Sequence, residues 1–217
     1  MDVDAALLQE CTKIAVSTWS DAMDEFGIDG IMSGLTRRSG EGRFAALAVT
    51  AQFVAQPPGR FSKDDFGIDR LIEATGPGKA LMLDLGGREI SSLGGNAALR
   101  CSQRKASAVI IDGGCRDVDE IISTGLWVMS RHVTPRTGLR RLKLISMGMP
   151  IKVGNVDVTE GDIVIGDSTG VVVVPKADFA QIQLIAERLE KADAQFTLSL
   201  RSGKSFRDSL NEKSATS

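Results

Sequence analysis

Residues 94–121 read GGNAALRCSQRKASAVIIDGGCRDVDEI, and the fold follows from how this run is divided. Gly94-Gly95-Asn96 opens a helix that AALRCSQRK continues. Residues 107–112, SAVIID, form a short, β-branched apolar run of strand type. Gly113-Gly114 is a turn signal, and Val118 to Ser123 predicts a short helix. Upstream, KALMLDL at 79–85 is a second strand closed by Gly86-Gly87, and FAALAVTAQFVA at 44–55 is a third, broken by Pro57-Pro58-Gly59. Leu126 to Met129 is a further strand candidate. Strands alternating with helices argue for a parallel α/β sheet.

Outward from that unit, residues 4–15 and a segment opened by Ser20-Asp21 carry helical apolar spacing, the second through Ala22, Met23 and Phe26 up to Gly27. Asp69 to Ala74 predicts a helix and Gly76-Pro77-Gly78 a turn. From Pro150 to Pro175 the chain changes character: IKVGNVDVTEGDIVIGDSTGVVVVP alternates β-branched runs with Gly, Asn and Asp, the pattern of hairpins. A long amphipathic helix is expected from Lys176 to Leu200 and another from about Ser205, with NEKSATS at the end read as frayed. Residues 1–217 are expected to form one domain around a shared core, β-rich in its C-terminal half.

Composition narrows the function classes. A 42% hydrophobic content with 25% charged residues is ordinary for a folded domain. A net charge of -2, 5% aromatics and no tyrosine argue against a nucleic-acid groove. No apolar stretch approaches the ~20 residues of a membrane span, and the acidic start MDVDAALLQECTK does not resemble a secretory leader. A cytoplasmic protein is therefore expected. Cys11, Cys101 and Cys115 have no zinc-ligand spacing and suit idle thiols in a reducing compartment. His132, the single histidine, has no nucleophile elbow to serve.

Ligands of open α/β sheets gather beyond the carboxyl ends of strands. Two such places carry suggestive residues. Gly94 to Ala97 pairs glycine with a helix start, whose N–H groups attract anions, although glycine turns before helices are also common structural devices. Arg116-Asp117, beside Asp112, Asp119 and Glu120, sets a fixed cation among carboxylates just after a strand. Asp117 also suits an N-cap with Glu120 as its capping-box partner. That reading leaves Arg116 unexplained, since a guanidinium is suited to bidentate carboxylate or enolate binding. An oxygen-rich set favours Mg²⁺ or Mn²⁺ over zinc. Thr134-Pro135-Arg136 is a loop placed to line a pocket.

These residues, with TPR, GDSTGVVVVP and the long C-terminal helix, resemble the 4-hydroxy-4-methyl-2-oxoglutarate aldolase family, which shares its fold with the regulator of ribonuclease E activity A. The likeness runs from about Ser17 to about Leu210. It implies a swivelling-domain-like α/β sandwich, trimers or dimers of trimers with sites between subunits, and a divalent metal. It also implies a lyase that cleaves a pyruvate-type 2-oxo acid through an enolate, by aldol cleavage or oxaloacetate decarboxylation.

By the same resemblance Asp117 matches the metal ligand and Arg116 the group that holds the 2-oxo oxygen. Gly94, Gly95, Asn96 and Ala97 match the loop whose amides hold the substrate carboxylate. Glu120 completes the arginine–aspartate motif, and Asp21 lies in the segment that reaches towards a neighbouring site. One departure matters: the aldolase motif places an acidic residue about twenty positions ahead of the arginine, where this chain has Gly95. Two other readings follow, a non-catalytic regulator that binds a ribonuclease, and a lyase or hydratase acting on another small oxo acid.

Overall fold

The structure, a computed structural model, describes residues 3–216, with side-chain surroundings as far as residue 211. Its frame is a nine-stranded mixed sheet with a two-stranded hairpin beside it. Four strands form the parallel centre: β2 (Phe44–Ala55), β3 (Lys79–Asp84), β5 (Ala108–Cys115) and β6 (Val128–Val133). The short β4 (Ser91–Leu93) runs parallel to β5 at its carboxyl end. Antiparallel strands complete the sheet. β1 (Thr36–Ser39) edges β6, and β7 (Leu142–Met147) pairs with the second half of β2. β10 (Ile163–Gly166) pairs with the first half of β2 and joins it to β11 (Val171–Val174). β8 (Ile151–Val153) and β9 (Val156–Val158) form the separate hairpin.

Alternation along the central strands sends side chains to two apolar layers. Leu81, Leu83, Val109 and Ile111 face α3 (Ile68–Ala74), α4 (Gly95–Gln103) and α5 (Val118–Ser123), meeting Leu71, Ala98, Cys101 and Ile121. Ala80, Met82, Ala108 and Ile110 face the hairpin through Ile151, Val153, Val156 and Val158. Both faces are covered, so these strands read as continuous apolar runs rather than as alternating ones. A third layer lies around β10 and β11. There α1 (Ala5–Cys11), α2 (Val16–Phe26) and α6 (Phe179–Arg201) bury Leu8, Trp19, Met23, Phe179 and Ile182.

The expected α/β sandwich, the hairpins of 150–175 and the long C-terminal helix are all present. Gly154 and Asn155, both at positive φ, make the tight two-residue turn between β8 and β9. A last helix, α7 (Phe206–Thr216), is capped by Ser205, whose Oγ accepts the Asp208 N–H. Of the stretch read as frayed, residues up to Thr216 continue this helix, and Ser217 lies outside the described residues.

Several boundaries differ from the sequence reading. Gly113-Gly114 is no turn: β5 continues through it to Cys115. Both glycines are there for space, since a Cβ on Gly113 would meet Leu85 at 2.6 Å and one on Gly114 would meet the Ile90 carbonyl at 2.9 Å. The second helix begins at Val16 rather than at Ser20-Asp21, with the Val16 N–H donating to Asp167 Oδ2 at 3.2 Å. The first ends at Cys11, where the Thr12 hydroxyl turns back to the Gln9 carbonyl. Strands β1, β4 and β7 are additional to those expected from the sequence. No helix among the described residues is long and apolar enough to cross a membrane.

Candidate active site

The extra length of β5 carries Arg116-Asp117 past the sheet to the start of α4. The Arg116 N–H donates to the Leu93 carbonyl at 3.0 Å, continuing the β4–β5 pairing and placing the doublet beside Gly94. Asp117 then adopts a left-handed backbone, φ 56 and ψ 49. An L-residue held there costs about 1–2 kcal/mol, though Asp tolerates the region better than most. Such strain tends to collect where a side chain must be aimed.

The capping reading of Asp117 fails on this geometry. It occupies the N-cap position of α5 but makes no side-chain cap, and no capping-box bond with Glu120 is present among the described residues. Its Oδ2 turns instead to the neighbouring helix, accepting from the Gly95 N–H at 3.2 Å and lying 3.4 Å from Arg116 Nε. Among the described residues Oδ1 has no hydrogen bond. Arg116 and Asp117 are 42% and 41% exposed, so their ion pair contributes little to stability. The doublet is better understood as an accessible pair of opposite charges held in place.

Gly94 and Gly95 are needed for this closeness. A Cβ on Gly94 would fall 2.6 Å from Asp117 Oδ2, and a Cβ on Gly95 would fall 2.7 Å from the Glu120 Cβ. Gly94 is the N-cap of α4 and supplies no side-chain cap. With the Gly95 N–H given to Asp117, the N–H groups of Asn96 and Ala97 have no protein acceptor among the described residues. They form the positive end of a helix dipole beside Arg116.

Gly94, Asn96, Ala97, Arg116 and Asp117 share a cavity of about 320 Å³ with Ser91, Ser92, Phe66, Ile68, Ile72 and Thr137. The size suits a small organic acid. Five of the predicted site residues thus line one cavity, and Gly95 joins them through its bond to Asp117. Glu120 stands one step away, on the first turn of α5, in an adjoining hollow with Gly95, Asn96 and Asp117. Asp21 is not brought to the site within one chain: α2 packs against α6 and β11 at the opposite edge of the sheet.

Asp112 does not join Asp117. It faces the hairpin side, accepts from Arg131 Nε at 2.6 Å and Nη2 at 3.1 Å, and accepts the Gly154 N–H at 2.8 Å. Burial pushes its carboxyl up, but the Arg131 hydrogen bonds and the Gly154 N–H outweigh that and hold it below the ordinary carboxylate value. His132 Nε2 is 3.0 Å from the Gly87 carbonyl and serves the backbone. All three cysteines are free and buried. Burial raises the Cys11 thiol to about 12 and the Cys101 thiol to about 11, which leaves neither as a thiolate at neutral pH.

Among the described residues no three His, Cys, Asp or Glu side chains converge as a metal cage. The described residues therefore build no closed zinc-type ligand set. This leaves room for a hard cation of the Mg²⁺ kind, which takes one or two carboxylates and fills its other positions with water and substrate oxygens. The Asp117 Oδ1 lone pairs fit that need.

The apolar wall of Phe66, Ile68 and Ile72 and the hydroxyl of Ser92 were not anticipated from sequence. The wall comes from a 3-10 turn, Asp64–Phe66, and from α3, whose apolar spacing signals only packing. Thr137 directly follows the Thr134-Pro135-Arg136 loop singled out for this purpose.

The family profile described as RraA-like, Aldolase/RraA, matches residues 16–173. A 4-hydroxy-4-methyl-2-oxoglutarate aldolase of Thermus thermophilus is 26% identical over 138 residues, 63% of this chain and 79% of that protein. An uncharacterized protein of Methanocaldococcus jannaschii is 29% identical over 151 residues, 70% of this chain and 67% of the relative. A crystal structure of an uncharacterized Pseudomonas syringae protein covers 97% of this chain and 99% of its own, with a TM-score of 0.85 at 22% identity. The RNA-processing inhibitor RraA of Thermus covers 72% of this chain and 91% of its own, with a TM-score of 0.59 at 24% identity.

Proposed function

The chain belongs to the RraA-like family, and from that premise we propose that it is a divalent-metal-dependent carbon–carbon lyase acting on a pyruvate-type 2-oxo acid. One observation carries the reading. A guanidinium, a carboxylate turned away from its own helix and two helix-start amides without an acceptor among the described residues meet at one small cavity.

Each group has a task in the reaction. The Asn96 and Ala97 N–H groups receive the substrate carboxylate and fix its orientation. Arg116 faces the 2-oxo oxygen. In aldol cleavage the C4 hydroxyl gives up its proton and the C3–C4 bond breaks. The bond's electrons then form the enolate, whose charge rests on the 2-oxo oxygen, and a proton returned to C3 yields pyruvate. In decarboxylation of oxaloacetate the same bond breaks with loss of carbon dioxide, and no hydroxyl proton need be removed. A guanidinium aimed where this charge develops stabilises the transition state more than the ground state. Asp117 would hold Mg²⁺ or Mn²⁺, which supplies Lewis-acid polarisation of the same oxygen.

Gly95 supplies no acid or base, so within this chain the groups that stabilise the enolate are better represented than those that move protons. Decarboxylation of oxaloacetate is therefore expected to be at least as fast as aldol cleavage of the likewise dicarboxylic 4-hydroxy-4-methyl-2-oxoglutarate. Pyruvate release from oxaloacetate and from 4-hydroxy-4-methyl-2-oxoglutarate, with Mg²⁺, with Mn²⁺ and after chelation, tests the proposal. Turnover that is indifferent to chelation and to Asp117→Ala would sink it.

The family description joins aldolases with RraA, so a regulator that binds a ribonuclease is the second reading. The geometry of Asp117 favours the lyase, because a binding surface has no need of a strained carboxylate inside a cavity. The proposal includes a cytoplasmic homotrimer or hexamer with neighbouring subunits completing the sites. A monomer mass by light scattering at assay concentrations would remove that part.

A further inference from the structure

Resting on the lyase reading, we infer that the substrate is a monocarboxylic 4-hydroxy-2-oxo acid with an uncharged, apolar group at C4, and that Ser92 recognises the C4 hydroxyl. Two independent features of the cavity lead there. The first is its charge. Of the side chains that line it, only Arg116 and Asp117 are ionised. Arg116 and the Asn96 and Ala97 amides are matched to the pyruvyl end. Beyond them the wall is Phe66, Ile68 and Ile72, each half-buried with the remainder of its apolar surface open. A second carboxylate at C4 would lose water there and meet no cation in this chain's own lining of the cavity, which is unfavourable. An alkyl or aryl group would cover that surface and gain from it.

The second feature is a hydroxyl without a partner. Ser92 is 2% exposed and belongs to the lining of the cavity, and among the described residues its buried Oγ makes no hydrogen bond. The other two hydroxyls of the wall are used internally: Ser91 Oγ donates to the Leu93 carbonyl at 2.9 Å, and Thr137 Oγ1 accepts the Leu139 N–H at 3.2 Å. A buried unsatisfied polar group in a folded protein calls for an explanation, and a ligand that completes it is one. To bond a ligand in the cavity the buried Ser92 hydroxyl must turn about χ1 towards it. Ser92 lies on β4, which leads directly into the Gly94 helix start, and shares the cavity with the carboxylate cradle and the apolar wall. In the proposed pose the C4 hydroxyl of the substrate lies beside it.

The test compares substrates and then ligands on the full chain with Mg²⁺ or Mn²⁺. Cleavage of 4-hydroxy-2-oxohexanoate is expected to exceed that of 4-hydroxy-4-methyl-2-oxoglutarate in kcat/KM by about tenfold or more, the scale on which an apolar pocket discriminates. Binding is then measured by calorimetry with 2,4-dihydroxyhexanoate, which lacks the 2-oxo group and cannot be cleaved, and with 2-hydroxyhexanoate, which also lacks the C4 hydroxyl. Ser92→Ala is expected to weaken the first about tenfold and to leave the second within about twofold.

Because Ser92 has no internal partner, the variant should melt no lower than the parent, so a failure to fold would itself count against the assignment. Preference for the dicarboxylate, or equal effects of Ser92→Ala on both ligands, overturns the inference while leaving the lyase intact. Absence of metal-dependent turnover on every substrate, together with no binding of oxalate as an enolate mimic, overturns both.

Discussion

Asp112 and Asp117 both follow the apolar run of β5, and each sits beside an arginine, yet the two pairs differ in burial, in geometry and in backbone. Asp112 is 6% exposed, holds Arg131 through both of its oxygens and also accepts a backbone N–H from the β8–β9 turn. Its carboxylate is fully used, and the pair ties β5, β6 and the hairpin together. Asp117 is open to solvent, spends one oxygen on Gly95 and a loose contact with Arg116, and stands on a left-handed backbone. Identical chemistry in the sequence thus serves stability in one place and stands ready for a ligand in the other. What separates them is the count of partners already satisfied.

The sharpest way to break this comparison is to replace Asp117. Asp117→Gly removes the carboxylate and suits the positive φ. Pyruvate release is expected to fall about 10³-fold, comparable to the loss of a group that stabilises a developing oxyanion. Stability in urea should rise by about 1 kcal/mol as the backbone strain is relieved. A variant that kept its activity, or lost stability, would make Asp117 structural like Asp112.

Asp112→Asn should do the reverse. It leaves Arg131 partly buried without its counter-charge, and breaking such a pair costs about 3 kcal/mol. The effect belongs to the urea midpoint, with kcat per folded molecule nearly unchanged. If metal-dependent turnover collapsed while stability held, Asp112 would belong to the site after all.

The parallel sheet and the doublet were legible in the sequence because both rest on local patterns: β-branched runs, glycine turns and one arginine–aspartate step. The distinction between Asp112 and Asp117 was not. Strand alternation assigns Asp112 to the face of Ile110, but only with β5 running through Gly113-Gly114, and those glycines read as a turn. Their reason, close approach by Leu85, Ile90 and Thr134, is tertiary. The apolar wall was hidden for a related cause. Ile72 reads as a packing residue of the short helix expected over 69–74, Phe66 and Ile68 lie ahead of it, and only the placement of α3 beside α4 turns their open sides to Arg116.

Gly95 sharpens the comparison at a smaller scale. Restoring an acid there as Gly95→Asp drives a Cβ to within 2.7 Å of the Glu120 Cβ, an atom too close to its backbone to swing aside. Overpacking of this kind costs about 1–3 kcal/mol. Glu120→Ala does not relieve it, because alanine keeps the Cβ, whereas Glu120→Gly does. The single variant is expected to melt below the parent, and Gly95→Asp with Glu120→Gly to recover part of that loss. If aldol cleavage rises in the double variant while oxaloacetate decarboxylation does not, the missing proton-transfer group is located at residue 95. Equal stability of Gly95→Asp and the parent would show that α5 yields more easily than the packing implies.

The smallest expected effect is the dependence of the Asp112 pair on acid. The Asp112 carboxyl is held below its ordinary value in the folded chain, so folding favours its ionised form. The corresponding stability is present above the unfolded carboxyl value of about 3.9 and is lost as the pH falls through the lower folded value. An asparagine at 112 does not titrate. The difference in urea midpoint between the parent and Asp112→Asn is therefore expected to be constant from pH 7 to about pH 5 and to narrow below about pH 4. A gap that stayed constant into strong acid would mean that the loss in Asp112→Asn comes from the shape of the Arg131 and Gly154 contacts rather than from charge. The pair would then still be structural, but its hold on the hairpin would be a matter of hydrogen-bond geometry.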